Sequence, residues 1–179
     1  ESVERMENVH LYPYKELIKA GLPAVMLAHT VYPALDSSEE IATLSKPIIT
    51  GVLREKLGFE GVVTTDSFTM GGLVARYDVQ DAAIRAIDAG VDLILLKDDN
   101  ALRSEVFNGL LQAVEEGKLT EERVEESVER VLSMKERFGI IDPERAIKDA
   151  SRVPAIINDP ENKAVLQKAA DKTILELRS

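Results

Sequence analysis

Gly58-Phe59-Glu60-Gly61-Val62-Val63-Thr64-Thr65-Asp66-Ser67-Phe68-Thr69-Met70-Gly71-Gly72 is the stretch that decides the fold. Val62 to Thr65 are all β-branched, and such side chains favour the pleated surface of a strand. A run without polar alternation fits a strand buried on both faces, as in a parallel sheet covered by helices. The run stops at one carboxylate, Asp66, and enters a loop that carries Gly71 and Gly72. In β/α proteins chemistry is placed at the carboxyl ends of the strands. Asp66 therefore has four readings: nucleophile, base, metal ligand or helix cap.

Working outward, helix and strand patterns alternate. Tyr14 to Ala20 reads as a helix end closed by Gly21, and Ala24 to Ala28 as a buried strand. A loop from His29 to Asp36 follows, and Ser45 caps a helix with Pro47 in its first turn. Ile48, Ile49, Val52, Leu53 and Leu57 recur at helical spacing up to the stop at Gly58. Beyond the central strand, Asp81 to Ala89 forms a small-residue helix ended by Gly90, and Val91 to Leu96 a third strand. The next helix gathers Val106, Phe107, Leu110, Leu111 and Val114 on one face. A further helix from Thr120 carries a buried stripe of Val124, Val128, Val131, Leu132 and Phe138. Residues 140–154 read as irregular, and a last helix starts at Asp159-Pro160 and runs to about Lys172. Strands joined by crossover helices are parallel. Three such strands are neither a closed barrel nor a full doubly wound sheet, and both outer strands expose apolar edges.

Composition bounds the partners. The 179 residues hold 32 acidic and 22 basic side chains, a formal net charge of −10. Phosphate backbones and anionic membranes need a basic surface, so neither nucleic acid nor a membrane is an expected partner. No run of 18 apolar residues is present. Absence of Cys removes disulfides, thiolate metal sites and cysteine nucleophiles, and two His are too few for a His-rich metal site. No metal or organic cofactor is implied. Localisation has no sequence signal. A first residue of Glu1 rather than Met suggests that the native N-terminus lies upstream.

Each candidate residue has a structural reading beside its chemical one. His29 directly follows the first strand, where it either hydrogen-bonds a ligand or packs a loop as a satisfied, half-buried ring. His10 lies in a connection and reads as structural. Asp98 and Asp99 follow the third strand and read as caps of the next helix. Glu115-Glu116, Glu121-Glu122 and Glu125-Glu126 are solvated helix faces. Gly71-Gly72 belongs to no phosphate-binding pattern; it lets the chain turn sharply or pass close to a ligand.

Taken in order, several pieces resemble glycoside hydrolase family 3, in its β-N-acetylhexosaminidase branch. They are Ala24 to His29 with Tyr32-Pro33-Ala34-Leu35-Asp36, then Leu53 to Val63, then Thr65-Asp66-Ser67 with Met70, and Ala86 to Asp92. The family signature has Ser-Asp with Met four residues after the Asp, so Thr65 is a mild departure. The resemblance implies an α/β fold, a partial TIM (β/α)8-type barrel. In it the last three parallel strands, with their helices, occupy residues 1–150, and a tail helix over 151–179 leads toward a further domain. It implies that Asp66 is the nucleophile of a retaining mechanism acting on terminal β-linked N-acetylhexosamine, with His29 and Met70 as substrate-binding residues. It also implies an acid/base from a Lys-His-Phe-Pro-Gly-His-Gly-Asp-Thr-like loop, and these 179 residues contain no such stretch. The expected partners are therefore a carbohydrate substrate and the N-terminal half of the barrel, or a second copy of the chain. The alternative is a non-catalytic half-barrel that serves as an assembly unit.

Overall fold

The structure, a computed structural model, describes residues 2–97, 100–142 and 150–173. They fall into two compact units, Glu1–Phe138 and Gly139–Ser179. In the first unit, strands β1 (Ala24–Leu27) and β2 (Val62–Thr65) pair in parallel, with Ala24 opposite Val62 and Leu27 opposite Thr65. Gly61 is what permits the entry of β2: a Cβ there would lie 2.5 Å from the Pro23 carbonyl oxygen, which accepts the Val62 N–H at 3.0 Å.

The third strand expected over Val91–Leu96 is reduced to one parallel bridge, Thr64 to Leu93. The segment still runs beside β2, but threonine side chains replace part of the ladder. Asp92 and Leu93 both donate to the Val63 carbonyl at 2.8 and 3.1 Å. The Leu93 carbonyl accepts the Thr65 N–H at 3.2 Å and the Thr64 hydroxyl at 2.9 Å, and the Leu95 N–H donates to Thr65 Oγ1 at 3.2 Å. Hydroxyls that compete for backbone groups in this way break regular pairing.

Helices cover one face of this sheet. Val25, Leu27 and Val63 are buried against Ile49 and Leu53 of the Pro47–Lys56 helix and Ala82, Ala83 and Ala86 of the Val79–Ala89 helix. Ser45 caps the first of these through Ile48 N–H, as expected, although its turns take the wide π pitch. Asp78 caps the second, and Gly90 ends it in the left-handed region at φ 117°. Alanines let this helix lie close to the sheet. The opposite face carries Met26, Thr64 and Leu93 in register, with Leu95 two residues on, and Met26 is 59% exposed and Leu93 46%.

Two further expectations change in the outer helices. In Asn100–Glu115, Val106 and Ala113 are buried, but Phe107 and Leu111 are exposed. In Glu121–Arg137 the expected stripe is turned out: Val124, Val128, Leu132 and Phe138 are exposed, and Ser127 is the buried residue. The cause is polar. Arg123, Ser127 and Arg130 face inward to the buried carboxylate of Asp92, which outweighs the apolar stripe. In the second unit, Val153–Ile157 and Pro160–Thr173 are helical, with Asp159 accepting the Glu161 N–H at 2.8 Å. A turn at Ala150–Arg152 and the Val153–Ile157 helix occupy part of the stretch expected to be irregular.

Candidate active site

The chain beyond β2 is held residue by residue. Thr65 N–H donates to the Leu93 carbonyl at 3.2 Å, Asp66 N–H to Leu27 at 2.8 Å and Phe68 N–H to Leu95 at 2.9 Å. These three amides thus reach alternately to the two flanking segments. Phe68 is fully buried below the turn. This fixes the backbone that carries Asp66 at the carboxyl end of the strand, where the sequence places it.

The Asp66 side chain is half-buried. Its Oδ1 accepts the Ser67 N–H at 2.7 Å. Its Oδ2 has no hydrogen-bond partner among the described residues. One oxygen orients the group and the other is available to an electrophile. The cap reading has weak support: the short helix that follows, Gly71–Val74, has Met70 at its N-cap, without a side-chain cap bond.

His29 lies beside this turn with both ring nitrogens on protein atoms. Nδ1 is 2.9 Å from Thr43 Oγ1, and Nε2 is 3.1 Å from the Ser67 carbonyl oxygen. Its ring meets Phe68 edge-on, with centroids 5.5 Å apart. Met70 is exposed on the same loop. His29 and Asp66 are therefore brought together through Ser67. Thr43 is the member that sequence reasoning missed: it stands 14 residues from His29 with no motif to mark it. Asp98 and Asp99 lie outside the described residues. Among the described residues, no three His, Asp or Glu side chains gather as a metal-holding group, and no helix is long and apolar enough to cross a membrane.

The loops around the turn are tied by other carboxylates. Asp36 accepts the Ser38 N–H at 2.9 Å and the Ser45 hydroxyl at 2.5 Å, and hydrogen bonds from Ser38 and then Ser45 hold it below the usual carboxylate range. Glu40 accepts the Tyr77 hydroxyl at 2.7 Å and pairs with Arg85. Burial pushes Glu40 upward, but the Tyr77, Ile41 and Arg85 donors together outweigh it and the net shift is down.

At the opposite ends of the strands Asp92 is fully buried. Its Oδ2 accepts Arg54 Nη2 at 2.6 Å and Val63 N–H at 2.9 Å, and its Oδ1 accepts the Ser127 hydroxyl at 2.8 Å and Arg130 at 3.2 Å, with Arg123 at 3.4 Å. Burial lowers Arg54 from its usual range against the pull of Asp92. A lone acid inside Val91-Asp92-Leu93 was the available signal for this cluster, since a buried charge requires partners. Grooves open on this unit among the described residues. One of about 490 Å³ lies at this end, beside Pro23, Gly61 and Arg130. Another, of about 670 Å³, follows the outer edge of β1 past Met26 and Ala28 to Tyr32. Asp66 lines neither.

Comparison with known proteins gives one consistent answer. Residues 1–134 match the glycosyl hydrolase family 3 N terminal domain. The chain is 28% identical to beta-hexosaminidase A of Pseudoalteromonas piscicida, over 98% of its own length and 31% of that protein's. It is 30% identical to a beta-N-acetylglucosaminidase/beta-glucosidase of Cellulomonas fimi, over 97% of its length and 31% of the relative's. A solved family 3 beta-N-acetylglucosaminidase from Paenibacillus sp. superposes with a TM-score of 0.76 and 37% identity, covering 84% of this chain and 28% of that one. The chain thus spans about a third of the length of these relatives.

Proposed function

This chain belongs to glycosyl hydrolase family 3, and we propose that it is the nucleophile-bearing part of a retaining β-N-acetylhexosaminidase. The observation that carries the reading is the Asp66 carboxylate, placed at a strand's carboxyl end with Oδ1 held by Ser67 and Oδ2 unengaged. Oδ2 attacks the anomeric carbon of a bound sugar while the glycosidic C–O bond breaks, giving a glycosyl ester on Asp66. A second group protonates the leaving oxygen and then takes a proton from the water that hydrolyses the ester. Within these 179 residues no loop of the expected acid/base pattern is present, so that group comes from another part of the polypeptide.

The same reading makes β1, β2 and the Val91–Leu96 segment the last three strands of a (β/α)8 barrel. Met26, Thr64 and Leu93 would point into the barrel interior, which is filled by layers of side chains drawn from alternate strands. Their exposure, the groove along β1 and the outward Val124, Val128 and Leu132 are what the remaining strands and helices would cover. The test is hydrolysis of an aryl N-acetyl-β-glucosaminide by the whole polypeptide and by Asp66→Ala. Loss of the nucleophile removes about three orders of magnitude or more of turnover; wild-type turnover overturns the reading.

A second reading rests on the same exposed face. A second copy, instead of upstream strands, would cover Met26, Leu93 and Leu95 in a non-catalytic assembly unit. Sedimentation of the 179-residue chain decides it, because a well-folded monomer is incompatible with that assembly.

A further inference from the structure

We propose that His29 is a positioning residue for Asp66, acting through the backbone of Ser67. The inference rests on the reading of Asp66 as nucleophile and adds to it the device that aims the carboxylate.

Nε2 of His29 faces the Ser67 carbonyl, which only accepts, so Nε2 carries the proton. In the neutral ring Nδ1 is then an acceptor, and the Thr43 hydroxyl opposite it donates. Thr43 is fully buried, so this hydroxyl has no bulk water to turn to, and the pairing fixes both tautomer and ring orientation. Phe68 packs edge-on against the imidazole. Ser67 links the two groups through the peptide planes on either side of its Cα: its N–H holds Asp66 Oδ1 at 2.7 Å and its carbonyl is held by His29 at 3.1 Å. Without His29 the Ser67 carbonyl keeps only the Met70 N–H at 3.1 Å, and the backbone that aims the Ser67 N–H loses the side-chain hydrogen bond on its carbonyl. A chain of three hydrogen bonds therefore runs from buried Thr43 to the reactive carboxylate. Both polar atoms of His29 are consumed in it, so its contribution is to geometry. Misplacement of a reacting atom by about 1 Å can cost roughly 100-fold.

The experiment follows covalent labelling of Asp66 in the whole polypeptide by a 5-fluoro-N-acetylglucosaminyl fluoride inactivator, read by intact mass. It records the rate of labelling and the fraction labelled, alongside steady-state kcat and KM. His29→Ala slows labelling and kcat by about 10- to 100-fold, leaves the labelled fraction complete and moves KM by less than about threefold. In His29→Gln the side-chain amide donates to the Ser67 carbonyl in place of Nε2–H and restores the rate to within about threefold. Thr43→Val, which leaves Nδ1 without its donor, slows labelling by roughly three- to tenfold with KM unchanged. A rise in KM with kcat and labelling rate intact overturns the proposal in favour of a sugar contact. A reduced labelled fraction that reacts at the wild-type rate overturns it in favour of simple architecture. If His29→Ala does not fold, wild-type labelling of Thr43→Val defeats the proposal by itself. Asp66→Ala separates the two levels: activity there removes the nucleophile, whereas an inert Asp66→Ala beside a wild-type-like His29→Ala removes only the positioning role.

Discussion

Asp66 and Asp92 belong to the same small sheet, at opposite ends of its strands, and they are treated in opposite ways. Asp92 is fully buried and accepts from one amide, one hydroxyl and three guanidinium groups. Asp66 is half-buried and accepts one amide, from its own neighbour. The difference separates architecture from reactivity. A carboxylate with every lone pair engaged in a dry environment is fixed in one state and has nothing to offer a substrate. One with a single restraint keeps an oxygen for chemistry and loses little in folding free energy by doing so. Arg54 extends the contrast: beyond Asp92 it donates to the carbonyls of Phe59 at 2.9 Å and Gly61 at 2.6 Å, which ties the start of β2 to the acid in the next segment.

The contrast can be broken by a crossed pair of substitutions. Asp66→Ala is expected to lower turnover by about three orders of magnitude or more while the thermal midpoint stays within a few degrees. Asp92→Ala should do the reverse, destabilising by about 3–5 kcal/mol because three buried or half-buried cations lose their common partner. Activity assays and calorimetry on both variants check this, and a large stability loss at Asp66 would make it a structural acid after all. Next in size is closure of the proposed barrel. Met26→Asp puts a charge on the exposed layer with Thr64 and Leu93. If upstream strands bury that layer, the whole polypeptide loses several kcal/mol, the cost of an unpaired buried charge; an unchanged denaturant midpoint would show the layer to be solvent-facing there too. A smaller effect is expected for Ser127→Ala, about 1 kcal/mol, since one hydrogen bond to Asp92 is lost and others remain.

How far these sites were legible in sequence follows from which forces are local. β2, the Ser45 helix start, the Gly90 stop and the end position of Asp66 depend on propensity, capping and chain direction, and all are written within a few neighbouring residues; the helix expected from Asp81 starts two residues earlier, at Val79, under an Asp78 cap. The facing of the Glu121–Arg137 helix toward the sheet depends on a carboxylate about thirty residues earlier, at Asp92, which an apolar period alone does not reveal. Thr64 and Thr65 suit a strand by propensity, yet their hydroxyls interrupt its ladder toward Leu93. His29 shows the same limit at the candidate site. Its position after β1 was readable, while the atoms that occupy its two nitrogens come from positions 43 and 67.

Asp36 supplies the mildest and most discriminating test, because it sits in the loop after β1, at the same end of the sheet as Asp66, yet is saturated. It is buried and accepts from Ser38 and Ser45. If location alone made a carboxylate catalytic, Asp36→Asn would impair turnover; if an unengaged oxygen is the requirement, turnover is unchanged and only stability moves, by about 1 kcal/mol at neutral pH. The sign of the pH dependence follows from its lowered pKa, caused first by the hydrogen bonds from Ser38 and then by Ser45. A folded carboxyl that resists protonation leaves the unfolded chain binding more protons, so its contribution is complete above the ordinary carboxylate range. That contribution is lost as pH falls through the lowered folded value. Wild type should therefore lose stability below about pH 4 faster than Asp36→Asn does, and the two denaturation curves should converge in acid. Parallel curves from neutral to acidic pH would mean that the Ser38 and Ser45 bonds do not select the charged form, and saturation would cease to distinguish Asp36 from Asp66.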